Sequence, residues 1–169
     1  MASFSRRNML KVGAAGLVTA AGTGVSDGEE IQPTTKQEEP RVTPFLAFFG
    51  DAEKAMKRYV ELFDNSQIVS IEHFGPGDVG KEGTVKVAEF TLNGTRIMCN
   101  DIPGEHAWTF TPAVSLYVES SSEDALAKYF ELLSKKGKVL MPLDEYPFSK
   151  KFAWVQDEFG VSWQLNSTA

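Results

Sequence analysis

The 169-residue chain has one cysteine, Cys99, and two histidines, His73 and His106. That poverty excludes an intramolecular disulfide and a zinc centre built on Cys/His spacing. It also leaves no sequence context for a Ser/His/Asp triad. A lone cysteine inside an apolar strand is most simply a small buried hydrophobe. Basic charge is scarce too: 17 Lys and Arg stand against 23 Asp and Glu, a net of −6. A nucleic-acid partner needs a basic face that displaces counterions, and this balance argues against one. It argues equally against an anionic membrane surface. What is present is ordinary for one globular domain with a proper core: 42% hydrophobic and 24% charged residues.

The few positive charges are unevenly placed. Arg6, Arg7 and Lys11 fall in residues 1–25, which hold no acid; the remainder has 14 basic against 23 acidic residues, a net of −9. Ser5-Arg6-Arg7-Asn8-Met9-Leu10-Lys11 resembles a twin-arginine export signal, with Met9 where Phe is usual. The uncharged Ala/Gly-rich run 12–25 suits a signal-peptide core and is too short and weakly apolar for a stable membrane span. Residues 1–25 are therefore expected to be a twin-arginine signal peptide. They imply transient engagement of the Tat translocase and a periplasmic or extracytoplasmic location; the alternative is an ordinary amphipathic N-terminus. Residues 26–41 are polar, acidic and Pro-containing, the composition of a disordered linker.

From residue 42 the pattern repeats. Helix candidates 51–63 and 121–133 align at an offset of 70: Glu53 with Glu123, Ala55 with Ala125, Tyr59 with Tyr129, Glu61 with Glu131. Ala55, Met56, Tyr59, Leu62 and Phe63 share one helical face. Asp51, and Ser121 or Ser122, are candidate N-caps. Each helix follows an apolar strand (43–49, 111–119). Each precedes three strand-like runs: 67–74, 84–92 and 95–100, then 139–143, 151–155 and 161–165. Asn93-Gly94 predicts a tight hairpin. The expected fold is α+β: two βαβββ modules (42–101 and 110–166) forming a curved eight-stranded sheet, helices on its convex side and a pocket on the concave one.

Several motifs carry a family resemblance: Thr43-Pro44-Phe45-Leu46, Phe74-Gly75-Pro76-Gly77, residues 88–92, Phe110-Thr111-Pro112-Ala113 and, most specifically, the run from Leu140 to Gln164. Together they resemble the PhnB-like proteins, also labelled 3-demethylubiquinone 3-methyltransferase-like, of the vicinal oxygen chelate (glyoxalase/bleomycin resistance/dioxygenase) superfamily. The resemblance implies the paired βαβββ fold and a homodimer. It also implies metal-ligand positions at Thr43 or Pro44, Met98, Ala113 and Gln164. Of these only Gln164 is a donor, and one neutral amide does not hold a divalent ion against water; no metal or other cofactor is expected. A methyl-donor cradle needs a Gly-rich strand-to-helix turn, whereas Gly75-Pro76-Gly77 lies between two strands.

Strand parity then selects candidate site residues. Val87, Glu89 and Thr91 are expected to face the concavity, as are Ser162, Gln164, Ala113, Ser115 and Tyr117. Glu89 is either a carboxylate with a raised pKa, able to serve as acid or base with His73 as proton carrier, or the partner of Arg96. His73 is either that carrier or a solvated strand end. The candidate ligand contacts are Phe45, Met98, Trp108, Tyr117, Tyr146, Phe148, Trp154 and Gln164. Trp108 either closes the pocket or packs an interface; Trp154 either meets ligand or packs the core. Tyr146-Pro147-Phe148 is expected to be too irregular for a strand, folding over the pocket as a lid. Two function classes follow: a metal-independent binder of an unknown small molecule, and a metal-independent enzyme using Glu89 or His73. A metal-dependent enzyme, a methyltransferase and a pure interaction module rank behind them.

Overall fold

The computed structural model describes residues 40–169. The signal-peptide and linker expectations lie outside the described residues, save for Pro40 and Arg41, which carry no regular structure. The first module runs β1 (Phe45–Phe48), α1 (Ala52–Leu62), β2 (Gln67–His73), β3 (Val85–Leu92), β4 (Thr95–Asp101). The second runs β5 (Leu116–Ser120), α2 (Glu123–Ser134), β6 (Lys138–Tyr146), β7 (Ser149–Gln156), β8 (Ser162–Ser167). The eight strands hydrogen-bond as two four-stranded sheets, ordered β1-β4-β3-β2 and β5-β8-β7-β6. No continuous eight-stranded ladder joins them. In each sheet the first strand pairs parallel with the last, and the other pairs are antiparallel. The α+β fold of paired βαβββ modules is therefore the one expected.

Alternation sets the faces. In β3, Ala88, Phe90 and Leu92 are buried against α1, while Val87, Glu89 and Thr91 are half-buried on the helix-free face. α1 answers with Ala52, Ala55, Met56, Tyr59 and Leu62, all buried. Each such large apolar side chain contributes about 1.5–3 kcal/mol on burial. Asn93 and Gly94 both have positive φ (47° and 79°), the backbone of the tight hairpin their sequence predicts.

Two local expectations need correction. Asp51 makes no capping bond to α1; the cap comes from across the sheet, where Asp101 Oδ1 accepts from Gly50 N (2.6 Å) and Ala52 N (3.0 Å). Ser122 does cap α2, accepting from Ala125 N (3.2 Å). After α2, Lys136 takes the left-handed conformation (φ 62°). Gly137 is needed for space, since a Cβ there would stand 2.2 Å from the Gln156 carbonyl. Finally, β1 is short because Pro44 accepts from Met98 N (3.0 Å) but has no N–H for the carbonyl of Arg96, so the β1–β4 ladder stops there.

The modules are tied through α1. Arg58 donates to Glu158 (2.5 Å) and to the Leu132 carbonyl at the end of α2 (2.5 Å). Tyr59 Oη donates to Asp157 (2.6 Å), which also accepts from Trp163 Nε1 (2.8 Å) and from the amides of Phe159 (2.9 Å) and Val161 (3.0 Å). Phe63 stacks on Trp163 at 5.4 Å between ring centres.

Candidate functional site

The helix-free faces of the two sheets carry matching rows. Phe45 lies directly across from Met98, and Met98 from Glu89; in the second module Tyr117 lies across from Gln164, and Gln164 from Trp154. The row places Phe45 beside Met98 and Tyr117 beside Gln164. Thr43 meets Arg96 instead, and Ala113 lies before β5. The four first- and last-strand positions thus offer two aromatic rings, a thioether and one amide. That set does not suit a divalent ion, which needs several anionic oxygens or imidazoles. Among the described residues no three His, Cys, Asp or Glu side chains converge.

On the first sheet, Arg96 Nη2 donates to Glu89 (2.5 Å) and Nη1 to Thr43 Oγ1 (2.9 Å). Of the two alternatives for Glu89, the ion pair is realised. The Arg96 guanidinium holds the Glu89 carboxyl below the usual range, the opposite of what a general acid needs. His73 does not reach Glu89. β3 carries one residue more than β2 at this end, Lys86, so that Glu72 pairs with Val87 but His73 with Val85. Alternation along β2 puts His73 on the side of Ile71, the helix face, where it meets Glu53 of α1 at 2.9 Å. Arg96 Nε and Asn100 Oδ1 on this sheet are buried without hydrogen-bond partners.

The second sheet holds a connected polar network. Trp154 Nε1 donates to Ser162 Oγ (2.8 Å), Ser162 and Ser115 share a hydrogen bond (2.7 Å), and Gln164 Nε2 donates to Ser115 Oγ (3.3 Å). Ser162 is buried, so its proton must go to Ser115, the one acceptor within reach. Ser115 then accepts twice and keeps its own proton, and Gln164 keeps Oε1 free. Beside them Tyr117 is 54% exposed, its phenol pushed up by partial desolvation and by Glu119. Strand parity located Ser115, Ser162 and Gln164, and Trp154 proves to be part of the network.

The other expected contacts sit apart. Tyr146 closes β6 and pairs with Ser149 of β7, so Pro147-Phe148 is a two-residue hairpin turn and not a lid. Tyr146 and Phe148 stack at 5.5 Å and both pack on Phe152, which sequence reasoning missed although it shares the parity of Trp154. Trp108 packs with Phe49 (5.4 Å) and His106 (5.1 Å) in the connector between modules.

Residues 40–166 match the family described as 3-demethylubiquinone-9 3-methyltransferase. The chain belongs to this family. It is 51% identical to a PhnB protein from Bacillus cereus over 76% of this chain and all of that one, with a TM-score of 0.75. More distant structures share the fold: the fosfomycin resistance protein FosX from Listeria monocytogenes (11% identity, 75% and 91% of the two chains, TM-score 0.55) and a glyoxylase/bleomycin resistance protein/dioxygenase domain from Frankia sp. EAN1pec (19%, 76% and 92%, 0.53). No curated protein matches the chain. The match to the PhnB protein agrees with the resemblance carried by the sequence motifs, and the fold is shared with the glyoxylase/bleomycin resistance protein/dioxygenase domain. The family's description names methyl transfer, and the described residues do not build a Gly-rich methyl-donor cradle. The two strand-to-helix turns, Phe49-Gly50-Asp51 and Ser121-Ser122, hold one glycine between them, and Gly75 to Gly83 joins two strands.

Cys99 is fully buried in β4, and burial, with Asp101 nearby, pushes its thiol up to about 12. A thiol so held is inert. Iodoacetamide at about pH 8 should leave the native protein unlabelled and add one adduct after denaturation. Labelling of the native protein at the rate of a free thiol would show that β4 opens.

Proposed function

We propose that the protein is a metal-independent small-molecule-binding member of the PhnB-like family, holding a neutral, flat, aromatic ligand on the helix-free face of its second sheet. The observation that carries this reading is the hydrogen-bond network on that face. Ser115 retains a donor and Gln164 an acceptor, side by side, between the rings of Tyr117 and Trp154. A ligand group that both donates and accepts, such as a phenol or carboxamide, satisfies both, and the rings cover its apolar body. The enzymatic alternative has less support, because Glu89 is committed to Arg96 and His73 lies on the opposite face. A homodimer and twin-arginine export remain parts of the proposal.

The test uses 2-naphthol, followed by the Trp154 indole N–H resonance and by calorimetry, with metal content measured on the same full-length chain. Binding is expected to perturb that resonance. Ser115→Ala and Gln164→Ala should each weaken it about tenfold, the worth of one well-placed hydrogen bond. Naphthalene and 2-naphthoate should bind more weakly than the phenol. Equal binding of all three probes, unaffected by either substitution, would overturn the reading. So would one equivalent of bound metal whose removal lowers the melting temperature.

A further inference from the structure

The hairpin turn between β3 and β4 carries a chemically labile side chain. Of the chain's asparagines, Asn93 alone precedes a glycine. The carboxamide of an asparagine is open to attack by the main-chain nitrogen of the next residue. A side chain on that next residue hinders the approach, and glycine has none. Asn93 and Gly94 are both exposed, so water and base reach them.

The fold opposes this attack at three points. Gly94 N, the attacking atom, donates its hydrogen to the Asn65 carbonyl (3.1 Å). Asn93 N donates to Ser66 Oγ (3.0 Å), and Ser66 in turn donates to the Asp64 carbonyl (3.3 Å), which leaves its oxygen free to accept. Ring closure also requires the peptide between Asn93 and Gly94 to rotate. The pairing of Leu92 with Thr95 across the turn fixes it. Two of the three holds come from the connector between α1 and β2, where Asn65 is itself left-handed (φ 53°). That connector makes no other obvious contribution: Asn65 is exposed and lies outside the core.

We propose that Asn93 is a site of self-modification, converted to isoaspartate or aspartate through attack by the Gly94 nitrogen, and that the Asn65-Ser66 connector holds it closed in the folded chain. The Gly94 nitrogen loses its proton to base and bonds to Asn93 Cγ. The Cγ–Nδ2 bond breaks, and ammonia leaves with the proton returned. Water then opens the cyclic imide at either carbonyl. One water is consumed and one ammonia released, with no change of oxidation state. Opening toward isoaspartate routes the main chain through Cβ and adds one atom to the turn. Leu92 and Thr95 then fall out of register, and Leu92 is a core residue. The modification is therefore one-way, a chemical record that the hairpin has opened. It involves no residue of the proposed ligand face, so either reading can fail alone.

The test incubates the full-length chain in mildly alkaline buffer, folded and in guanidinium chloride, and follows each asparagine by peptide mass mapping with chromatographic separation of isoaspartate. In the unfolded chain Asn93 should convert before Asn65, Asn100 and Asn166. In the folded chain its conversion should be slower by about tenfold or more, since the open turn is a minor state whose population sets the rate. Asn65→Val disfavours the left-handed backbone and withdraws the carbonyl from Gly94, so conversion should be several-fold faster than in the unsubstituted folded chain. Asn65→Gly keeps that backbone and should convert at the unsubstituted rate. Should Asn65→Val misfold by circular dichroism, Ser66→Ala, which removes only the acceptor for Asn93 N, should also convert faster. Equal rates in the folded and unfolded chains would overturn the proposal. So would another asparagine converting first in the unfolded chain, or folded variants of the connector that convert no faster than the unsubstituted protein.

Discussion

Asp157→Ala is expected to destabilise the domain by about 3–5 kcal/mol, lowering the melting temperature by roughly 10–15 °C. The carboxylate is buried in the β7–β8 turn and accepts four hydrogen bonds, from Tyr59 Oη, Trp163 Nε1 and the amides of Phe159 and Val161. Tyr59 belongs to the first module and Trp163 to the second. The loss leaves buried donors unpaired on both sides of the junction. Chemical denaturation measures it, and a change under 1 kcal/mol would mean that water or a shifted backbone replaces the acceptor.

The same residue should leave a signature in pH. Burial raises the Asp157 pKa above the ordinary aspartate value, against the lowering effect of its hydrogen bonds. The folded chain thus holds this proton to a higher pH than the unfolded chain. Its contribution to stability is fully present below the unfolded value and is lost as pH rises through the folded one. Relative to Asp157→Asn, which does not titrate, the native protein should therefore lose stability across that window and run parallel to the variant above it. A difference that grows with pH would reverse the assigned direction. Glu89 and Glu53, both held below the usual range, act oppositely and are common to both proteins, so the comparison cancels them.

Asp101→Ala should cost about 3 kcal/mol. Its Oδ1 accepts from Gly50 N and Ala52 N at the start of α1, and its Oδ2 accepts from Val85 N (2.9 Å). One side chain thus fixes the first turn of the helix to two strands. Amide exchange should accelerate first in α1 and at Val85, before the second module responds. Asp101→Asn should lose less, since its oxygen can still cap the helix while its NH₂ group opposes Val85 N–H. A uniform loss of protection across both modules would mean that the contact is global and not a local cap.

The periodic features of this chain were legible in its sequence, and the long-range ones were not. Alternation in residues 84–92 gave the correct faces of Ala88, Phe90 and Glu89, and the 70-residue repeat gave the two modules. The extent of β6 was missed because Pro142 and Pro147 look like strand breakers. Pro142 is tolerated on an edge strand, where no N–H need be donated, and Pro147 sits in the turn. The face of His73 was missed because one extra residue in β2, between Ile68 and Ser70, inverts parity along that strand without any change in composition. The caps and clasps were beyond reach for a different reason. Asp101 lies 49 residues from Ala52, and Asp157 lies 98 from Tyr59, so no local pattern announces either bond.

The irregular pairing of β2 and β6 has a consequence for the protein at high concentration. Each ends its sheet opposite the first strand of the module, with Val69 and Val139 exposed, and such edges invite pairing with another molecule. Both are interrupted, β2 at two places and β6 at three, so a straight incoming strand meets donors and acceptors out of step. β5 runs unbroken against β8. Its edge, with Tyr117 and Glu119 exposed, carries no such interruption. Broken rhythm thus guards the β2 and β6 edges against sheet growth.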